Sequence, residues 1–226
     1  MPQRTRAPLE PRKTPVQARS AASVEAILEA TVQVLLDVGK ARLTTTRVAA
    51  RAGVSVGTLY QYFPNKSALL QAILRRHFNE IFGAIEFVCQ EQQGKSLSQM
   101  ATALVTAFLE AKMRNARTSA ALYTVSDDVD GAKIVQQMGT QSNKAMVELL
   151  KSAREPLTTD PRVVASMLQG AMFGVSRRML ESGSPEKQFE VLRQELIVLA
   201  CAYLKASSAR SARPLPLHHA AIAGAD

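Results

Sequence analysis

The stretch from Leu43 to Lys66, LTTTRVAARAGVSVGTLYQYFPNK, constrains the fold more than any other part of this chain. Thr44 or Thr45 can cap a short helix, because a threonine side chain accepts a hydrogen bond from a free N–H group of the first turn. The apolar positions of that helix are small and share one face, namely Val48, Ala49 and Ala52. Gly53 follows where the chain leaves the helix with a positive φ, which glycine adopts without a steric penalty. The pattern predicts a short helix that ends in a sharp turn.

A second short helix follows this turn. Ser55 can cap it, and residues Val56 to Tyr62 form it, with Leu59 pointing toward the first helix. The small Ala49 lets the two helices cross closely, Gly53 makes the turn, and Leu59 holds the second helix in place. This spacing predicts a DNA-binding helix-turn-helix, although a purely structural helix corner can share it.

The residues after the motif carry a resemblance to a known family. Phe63 and Pro64 end the second helix, because the residue before a proline is disfavoured in the α region, and Asn65 can cap a long following helix. Taken together, GVSVGTLYQYFPNKSALLQAIL, residues 53–74, resembles the tetracycline-repressor (TetR) family of bacterial transcriptional regulators. The resemblance covers about residues 24–74, and beyond it only an all-helical pattern matches. It implies an all-α fold, with an N-terminal three-helix helix-turn-helix DNA-binding domain followed by a larger helical ligand-binding and dimerisation domain.

Charge and composition divide the chain into four segments. Residues 1–18 carry four prolines and several basic residues, which predicts a disordered basic arm, and residues 207–226 are predicted to be a disordered tail. Between them lie the helix-turn-helix domain, 19–66, and a helical effector-binding and dimerisation domain, 67–206. Residues 1–76 hold 12 of the 28 Lys and Arg residues but only 4 of the 19 Asp and Glu residues. This basic excess favours a module that binds DNA phosphates, and whether the arm also contacts DNA stays open.

Helical periodicity continues through the rest of the chain. The first helix begins at Ser20 or Ser23, and a fourth helix, about 67–90, joins the two domains. Asp160 and Pro161 supply a cap and a first-turn proline for a later helix. The helices predicted after residue 90 cover about 97–113, 119–125, 130–153, 161–182 and 185–205. No alternation typical of strands interrupts them, so the chain is predicted to be all-α.

Several function classes are not supported by this sequence. Cys89 and Cys201 have no neighbouring Cys or His at metal-ligand spacing, so neither a disulfide framework nor a metal site is predicted. No nucleotide-binding or hydrolase motif occurs, so no enzymatic activity and no cofactor are predicted. The histidines are few for acid–base work: His77, His218 and His219. The first residues lack the apolar core of a secretory leader, and the longest apolar run, 196–204, is too short for a membrane span, which predicts a cytoplasmic protein.

Positions carried over from the family motif give the candidate DNA contacts. The candidates for base contacts are Thr46, Val56, Gly57, Tyr60 and Gln61. The candidates for phosphate contacts are Thr45, Thr58, Tyr62 and Lys66. Glutamine can form two hydrogen bonds with adenine, and Val56 can touch a thymine methyl group, although polar residues often occupy the position of Val56 in similar proteins. One of Tyr60 and Tyr62 is expected to pack inside the domain.

The second domain needs a dimer surface and a ligand pocket to fit this resemblance. The last two helices carry more apolar surface than one helix pair buries, and the predicted interface residues are Val164, Met167, Leu168, Ala171, Met172, Val175, Leu192, Leu196, Leu199 and Tyr203. The predicted pocket residues come from the central helices: Phe82, Met100, Leu104, Phe108, Met113, Tyr123, Met138 and Met146. Methionine suits an adaptable apolar cavity but is also an ordinary core residue. The alternative to a dimer interface is that the last two helices lie inside a monomer.

The resemblance therefore predicts a sequence-specific DNA-binding transcriptional regulator that forms a homodimer. The first hypothesis is a repressor that a small apolar or aromatic ligand releases from a palindromic operator in double-stranded DNA. The alternative is a DNA-binding scaffold whose second domain docks a protein partner and has no small-molecule response. Activation instead of repression stays open, and the sequence identifies neither the operator nor the effector.

Overall fold

The computed structural model describes residues 15–126 and 131–208 of the chain. Over these residues the chain forms helices and no strands, which confirms the predicted all-α fold. In chain order the helices are α1 (Pro15–Arg42), α2 (Thr45–Ala52), α3 (Val56–Tyr62), α4 (Lys66–Glu91), α5 (Leu97–Met113), α6 (Ala116–Ser126), α7 (Gly131–Lys151), α8 (Pro161–Glu181) and α9 (Pro185–Ser208). Within these segments, none of the helices combines the length and the hydropathy that a membrane span requires.

α1 begins earlier than its sequence pattern predicts. The prediction placed the start at Ser20 or Ser23, whereas the helix starts at Pro15. Proline is favoured in the first turn, where its missing N–H has no helical acceptor to lose, and the alanine-rich residues that follow are good helix formers. Residues 15–18 of the predicted arm are therefore helical. The rest of that arm, and the predicted tail from residue 209 onward, lie outside the described residues.

The end of α1 is bent and is tied to the start of α4. Gly39 interrupts the helix with a φ of 75° and a ψ of 166°, a conformation that favours glycine. Immediately after it, the carbonyl group of Lys40 accepts a hydrogen bond from Lys66 Nζ at 2.8 Å. The carbonyl groups of the last helical turn have no partner within the helix, so this ammonium group satisfies one of them.

The turn between α2 and α3 has the geometry that the sequence predicts. Thr44 caps α2 by accepting a hydrogen bond from a first-turn N–H group, and Ser55 caps α3 by accepting one from the Thr58 N–H at 2.9 Å. Gly53 adopts φ 68° and ψ 28°, and its N–H group donates to carbonyl groups of the last turn of α2. Leu59 is fully buried and packs α3 against the rest of the motif. The helix-turn-helix is thus fixed by local capping chemistry and one central leucine.

Substitution of Gly53 tests this turn. Gly53→Ala is expected to lower the free energy of unfolding by about 1–2 kcal/mol, because an L-residue at this positive φ crowds its own backbone. Gly57→Ala is the matched control, since Gly57 lies in α3 and an added Cβ would be 3.7 Å from Ser55 Oγ, an ordinary contact. Urea denaturation of both variants measures the difference. Equal losses for the two substitutions would contradict the assignment of Gly53 to the turn.

The described residues divide into two compact units. Unit 1 comprises 15–81, 112–126 and 131–139, and unit 2 comprises 82–111 and 140–208. The interior of unit 1 includes Ile27, Leu35, Val48, Leu59, Ile73 and Leu122. The interior of unit 2 includes Leu104, Phe108, Leu149, Val164, Leu168 and Leu204. Unit 1 therefore contains α6 as well as the helix-turn-helix, and α6 adds apolar surface that a three-helix domain of this size lacks.

Two of the later helices begin at well-defined caps. α6 starts at Ala116, earlier than predicted, because Asn115 Oδ1 accepts a hydrogen bond from the Thr118 N–H at 3.2 Å. Asparagine is a good cap for this reason, but the apolar pattern alone did not reveal it. α8 starts at Pro161 with Asp160 as its cap, as predicted.

Candidate nucleic-acid interface

α3 has one face in the interior of unit 1 and one face in solvent. Leu59 is fully buried, whereas Tyr60 is 48% exposed and Val56 37% exposed, and Gly57 and Gln61 are also exposed. The exposed face thus combines an apolar side chain, a glycine, an aromatic ring and an amide. These groups can contact thymine methyls and the hydrogen-bonding edges of bases in a major groove.

The start of α2 is joined to this face. Thr45 Oγ1 and Tyr60 Oη are 3.1 Å apart, a hydrogen bond that links α2 to α3. Thr45 is half-buried, and its neighbour Thr46 is exposed. Because the bond restricts the direction of the Tyr60 ring, Thr45 positions that ring on the exposed face of α3.

Two other candidates for phosphate contacts have partners inside the chain. Thr58 Oγ1 is 2.8 Å from Ser55 Oγ, and Lys66 Nζ donates to the Lys40 carbonyl. An ammonium group has three donors, so Lys66 can keep this bond and still donate to a phosphate. Tyr62 is half-buried, which makes it the less accessible of the two tyrosines.

α1 supports α2 from the other side through a surface ion pair. Arg51 Nη2 is 2.5 Å from Asp37 Oδ2, and Arg51 Nη1 donates to Gln33 Oε1 at 3.2 Å. Both charged side chains are about half exposed, so solvent screens the pair and its contribution to stability is small. The pair directs the Arg51 side chain toward α1.

α8 and α9 leave apolar side chains in solvent. Met167 is 58% and Leu199 50% exposed, and further large exposed residues on these helices are Val163, Val191 and Val198. The predicted interface residues that lie inside unit 2 are Val164, Leu168, Met172 and Leu196. The half-buried ones are Ala171, Val175, Leu192 and Tyr203. The buried group packs within the chain because one side of each apolar stripe faces its own core. We call the exposed apolar residues of the two helices the α8–α9 apolar face: Val163, Met167, Val191, Val198 and Leu199.

The predicted pocket residues are not all in one unit. Those of unit 2 are all buried: Phe82, Met100, Leu104, Phe108 and Met146. Phe173, which sequence reasoning did not select, joins them, with its ring centroid 5.1 Å from that of Phe108 and 6.3 Å from that of Phe82. The half-buried Met113, Tyr123 and Met138 belong to unit 1. The surface cavities of about 560 and 430 Å³ on unit 2 are lined by other residues.

A buried polar cluster in unit 1 is a further feature that the sequence did not reveal. Lys112 is 1% exposed, donates a hydrogen bond to Tyr123 Oη at 3.2 Å, and lies 5.4 Å from the centre of the Phe78 ring. Burial lowers the pKa of Lys112 to about 8. Burial, and then the positive charges of Lys112 and Arg76, lower the pKa of His77 to about 4. His77 is therefore neutral at pH 7.

Comparison with known proteins adds to this geometry. The family model described as "Bacterial regulatory proteins, tetR family" matches residues 27–73. The model described as "Tetracyclin repressor-like, C-terminal domain" matches residues 96–204. Together the two matches cover more than half of the chain. One includes the helix-turn-helix, and the other includes most of the helices of the second domain.

Individual relatives are more distant. The nucleoid occlusion factor SlmA of Salmonella paratyphi B is 25% identical over 149 residues, which make up 64% of this chain and 75% of SlmA. A structure described as a TetR-family transcriptional regulator from Mesorhizobium loti aligns with a TM-score of 0.68 and 19% identity, over 84% of this chain and 99% of its own. The SmeT–triclosan complex aligns with a TM-score of 0.58 and 24% identity, over 86% and 99% of the two chains. At these identities the two structures show a common fold.

Proposed function

The chain belongs to the tetracycline-repressor (TetR) family of bacterial transcriptional regulators, and we propose that it is a dimeric repressor that a small apolar or aromatic ligand releases from a palindromic operator. As a member of this family it is a sequence-specific DNA-binding regulator. The exposed face of α3 is the observation that carries the DNA-binding part of the proposal. Because the protein acts on bacterial DNA, we propose that it is located in the cytoplasm. We propose no catalytic role.

We propose that α3 enters the major groove with Val56, Gly57, Tyr60 and Gln61 toward the bases. Leu59 holds the opposite side of the helix in the core, so the exposed side chains move with the unit and not independently of it. Backbone N–H groups and the Thr45, Thr58, Tyr62 and Lys66 side chains are the proposed phosphate contacts. Such contacts fix the register of the helix on the duplex, and the base contacts carry the sequence information.

Selection from a random pool of duplexes tests DNA binding. Purified protein is incubated at low ionic strength with a randomised double-stranded pool, and bound molecules are amplified and sequenced over several rounds. The expected result is a palindrome with half-sites about one helical turn, roughly 34–36 Å, apart. Failure to enrich any duplex would overturn the proposed recognition by α3.

Gln61 and Lys66 are expected to affect binding in different ways. Gln61→Ala is expected to weaken binding to the selected operator by about 1–3 kcal/mol, with no change on random DNA, because one base contact is lost. Lys66→Ala is expected to weaken binding to both DNAs alike, because a phosphate contact is lost. The slope of the logarithm of the binding constant against the logarithm of the salt concentration is expected to become shallower by about 1. Fluorescence anisotropy on both duplexes at several salt concentrations measures the two effects. Equal losses on both DNAs for Gln61→Ala would show that Gln61 reads no base.

The α8–α9 apolar face is the proposed dimer interface. Its side chains are half exposed or more, and a symmetric pairing of two such helix pairs would cover them with the same face of a second copy. Gly170 and Gly174 lie one turn apart and are exposed on α8, with no atom within 4 Å of an added Cβ, so the helix backbone is open to close approach. A dimer of this kind would present two recognition helices to two half-sites.

The aromatic interior of unit 2 is the proposed place of ligand action. Its side chains are uncharged, and Met100 and Met146 can change rotamer at little cost, which suits an apolar or aromatic ligand. A ligand that separates Phe108 from Phe173 stabilises the helix arrangement that has space for it. If that arrangement binds DNA less tightly, the ligand lowers the DNA affinity by as much as its own affinity differs between the two arrangements. The SmeT complex with triclosan is an aromatic-ligand precedent in a protein of the same fold.

A second function is a DNA-binding scaffold that docks a protein partner. The similarity to a nucleoid occlusion factor favours this alternative, as does the close packing of the unit 2 interior. A panel of apolar and aromatic compounds, tested for thermal stabilisation and for release of the selected operator, separates the two functions. Release by a compound that also stabilises the protein supports the repressor, and the absence of any releasing compound favours the scaffold.

A further inference from the structure

Two lysines of unit 1 cap two helix ends in series. Lys66 Nζ donates a hydrogen bond to the carbonyl group of Lys40, at the end of α1, over 2.8 Å. Lys40 Nζ donates to the carbonyl group of Thr124, in the last turn of α6, over 2.9 Å. Carbonyl groups of a last turn have no partner within their own helix, and a cation there also interacts favourably with the helix dipole. Lys40 therefore joins α6 to the lysine that is proposed to contact a phosphate.

The last turn of α6 is a firm anchor for this connection. Leu122 and Val125 lie on either side of Thr124 in the sequence, and both are buried. Tyr123 Oη accepts a hydrogen bond from the buried Lys112 at 3.2 Å. Because these contacts restrict the turn, the carbonyl group of Thr124 is held in a fixed direction toward Lys40.

The end of α1 needs such an anchor because its helix is broken. Gly39, with a φ of 75° and a ψ of 166°, interrupts the helical backbone immediately before Lys40. The preceding turns of α1 therefore do not determine the direction of residues 40–42. Arg42 Nε donates to the Val38 carbonyl across the break, at 3.2 Å, which ties this piece to its own helix. The bond from Lys40 to Thr124 ties it to a second helix and so fixes where the Lys40 carbonyl points.

We propose that Lys40 is a positioning residue for DNA binding: its side chain holds the end of α1 at α6, and its carbonyl group thereby directs the Lys66 ammonium group toward a phosphate. Lysine has a flexible four-carbon chain, and a hydrogen bond that is already formed reduces the side-chain entropy lost at a phosphate. The inference rests on the proposed phosphate contact of Lys66. Phosphate contacts carry no sequence information, so the effect of Lys40 is expected to be the same on every duplex.

A double-mutant cycle of Lys40→Met and Lys66→Ala tests the proposal. Fluorescence anisotropy with the full chain and a random-sequence duplex at low ionic strength gives the affinities. Lys40→Met is expected to weaken binding about three- to tenfold, the effect of one lost hydrogen bond, and by no more than Lys66→Ala does. In the Lys66→Ala background, the same substitution is expected to change the affinity by less than about 1.5-fold, because the group that it positions is absent.

A conservative variant and a matched control separate positioning from a general effect of charge or stability. Lys40→Arg is expected to bind within about twofold of the wild type, since a guanidinium group can donate to the same carbonyl group. Lys144→Met removes the same charge from an exposed lysine of α7 in unit 2, and it is expected to bind like the wild type. Equal weakening by Lys144→Met and Lys40→Met would overturn the inference. Thermal melting of each variant verifies folding.

Two further results would overturn the role of Lys40 alone. Equal losses from Lys40→Met in both backgrounds, with a salt slope shallower by about 1 in each, would mean that Lys40 contacts a phosphate itself. Wild-type affinity of Lys40→Met, while Lys66→Ala weakens binding, would mean that Lys66 needs no positioning. Both results would leave the proposed phosphate contact of Lys66 intact. The absence of any effect of Lys66→Ala would instead overturn that contact, and the inference with it.

Discussion

Met167→Glu is expected to split the proposed homodimer and to weaken operator binding by about 10²–10⁴-fold, which is the usual gain from linking two binding modules. Met167 is 58% exposed on α8, one helical turn from Val163, within the α8–α9 apolar face. A carboxylate without a partner in a buried interface costs several kcal/mol, but on the surface of a monomer it costs little. The isolated chain would therefore stay folded and bind only one half-site. Sedimentation velocity and fluorescence anisotropy measure the two effects.

Gln90→Glu is the control for the added charge. Gln90 is exposed near the end of α4, outside the α8–α9 apolar face. This variant is expected to remain a dimer and to keep wild-type affinity for the operator. If the Met167→Glu protein sediments as a dimer at micromolar concentration and binds the operator normally, the interface lies elsewhere.

Because of His77, the free energy of unfolding is expected to fall by about 3 kcal/mol between pH 7 and pH 4. Its pKa in the folded chain is about 4, against 6.5 for an unperturbed histidine. Above pH 6.5 the imidazole is neutral in both states, so it contributes no pH dependence there. Between pH 6.5 and 4 the unfolded chain takes up a proton that the folded chain excludes, and the free energy of unfolding falls as the pH falls. Below about pH 4 both states carry the proton, and the loss is complete.

His77→Gln isolates this contribution, because glutamine keeps hydrogen-bonding capacity but does not titrate. Urea denaturation of both proteins at pH 7, 5.5 and 4 gives the free energies of unfolding. The wild type is expected to lose about 3 kcal/mol more than the variant over this range, since the carboxylates that titrate at low pH are common to both proteins and cancel. Parallel pH profiles would show that His77 is protonated in the folded state as readily as in the unfolded chain.

The helix-turn-helix could be predicted because its structure is set by neighbouring residues. Thr44, Gly53 and Ser55 each act through their own backbone or through an N–H group within three residues. Such local chemistry is visible in the sequence. Asn115 belongs to the same class of signal, but the segment around it has a weak apolar pattern, so its role as the cap of α6 became clear only in the structure.

The candidate sites were harder to predict because they depend on which side of a helix faces its own core. Met167 and Leu168 are adjacent in α8, yet one is 58% and the other 4% exposed. Helical periodicity identifies an apolar stripe, but it does not divide that stripe between the interior and a partner. The hydrogen bond between His77 Nε2 and Ser119 Oγ is still less visible, since it joins two helices, α4 and α6, and the two residues are 42 positions apart. Nothing in the local pattern of His77 or Ser119 predicts that they meet.

If Tyr60 contacts a base as proposed, its hydrogen bond with Thr45 is expected to change the free energy of binding to a duplex. A side chain that is already restrained gives up less rotamer entropy at contact, a saving of about 0.5–1.5 kcal/mol for a group of this kind. The same restraint removes alternative poses with which the phenol ring could adapt to an unfavourable base pair. At the proposed interface, a rigid ring is therefore expected to raise both the affinity for the correct half-site and the free-energy penalty for an incorrect one.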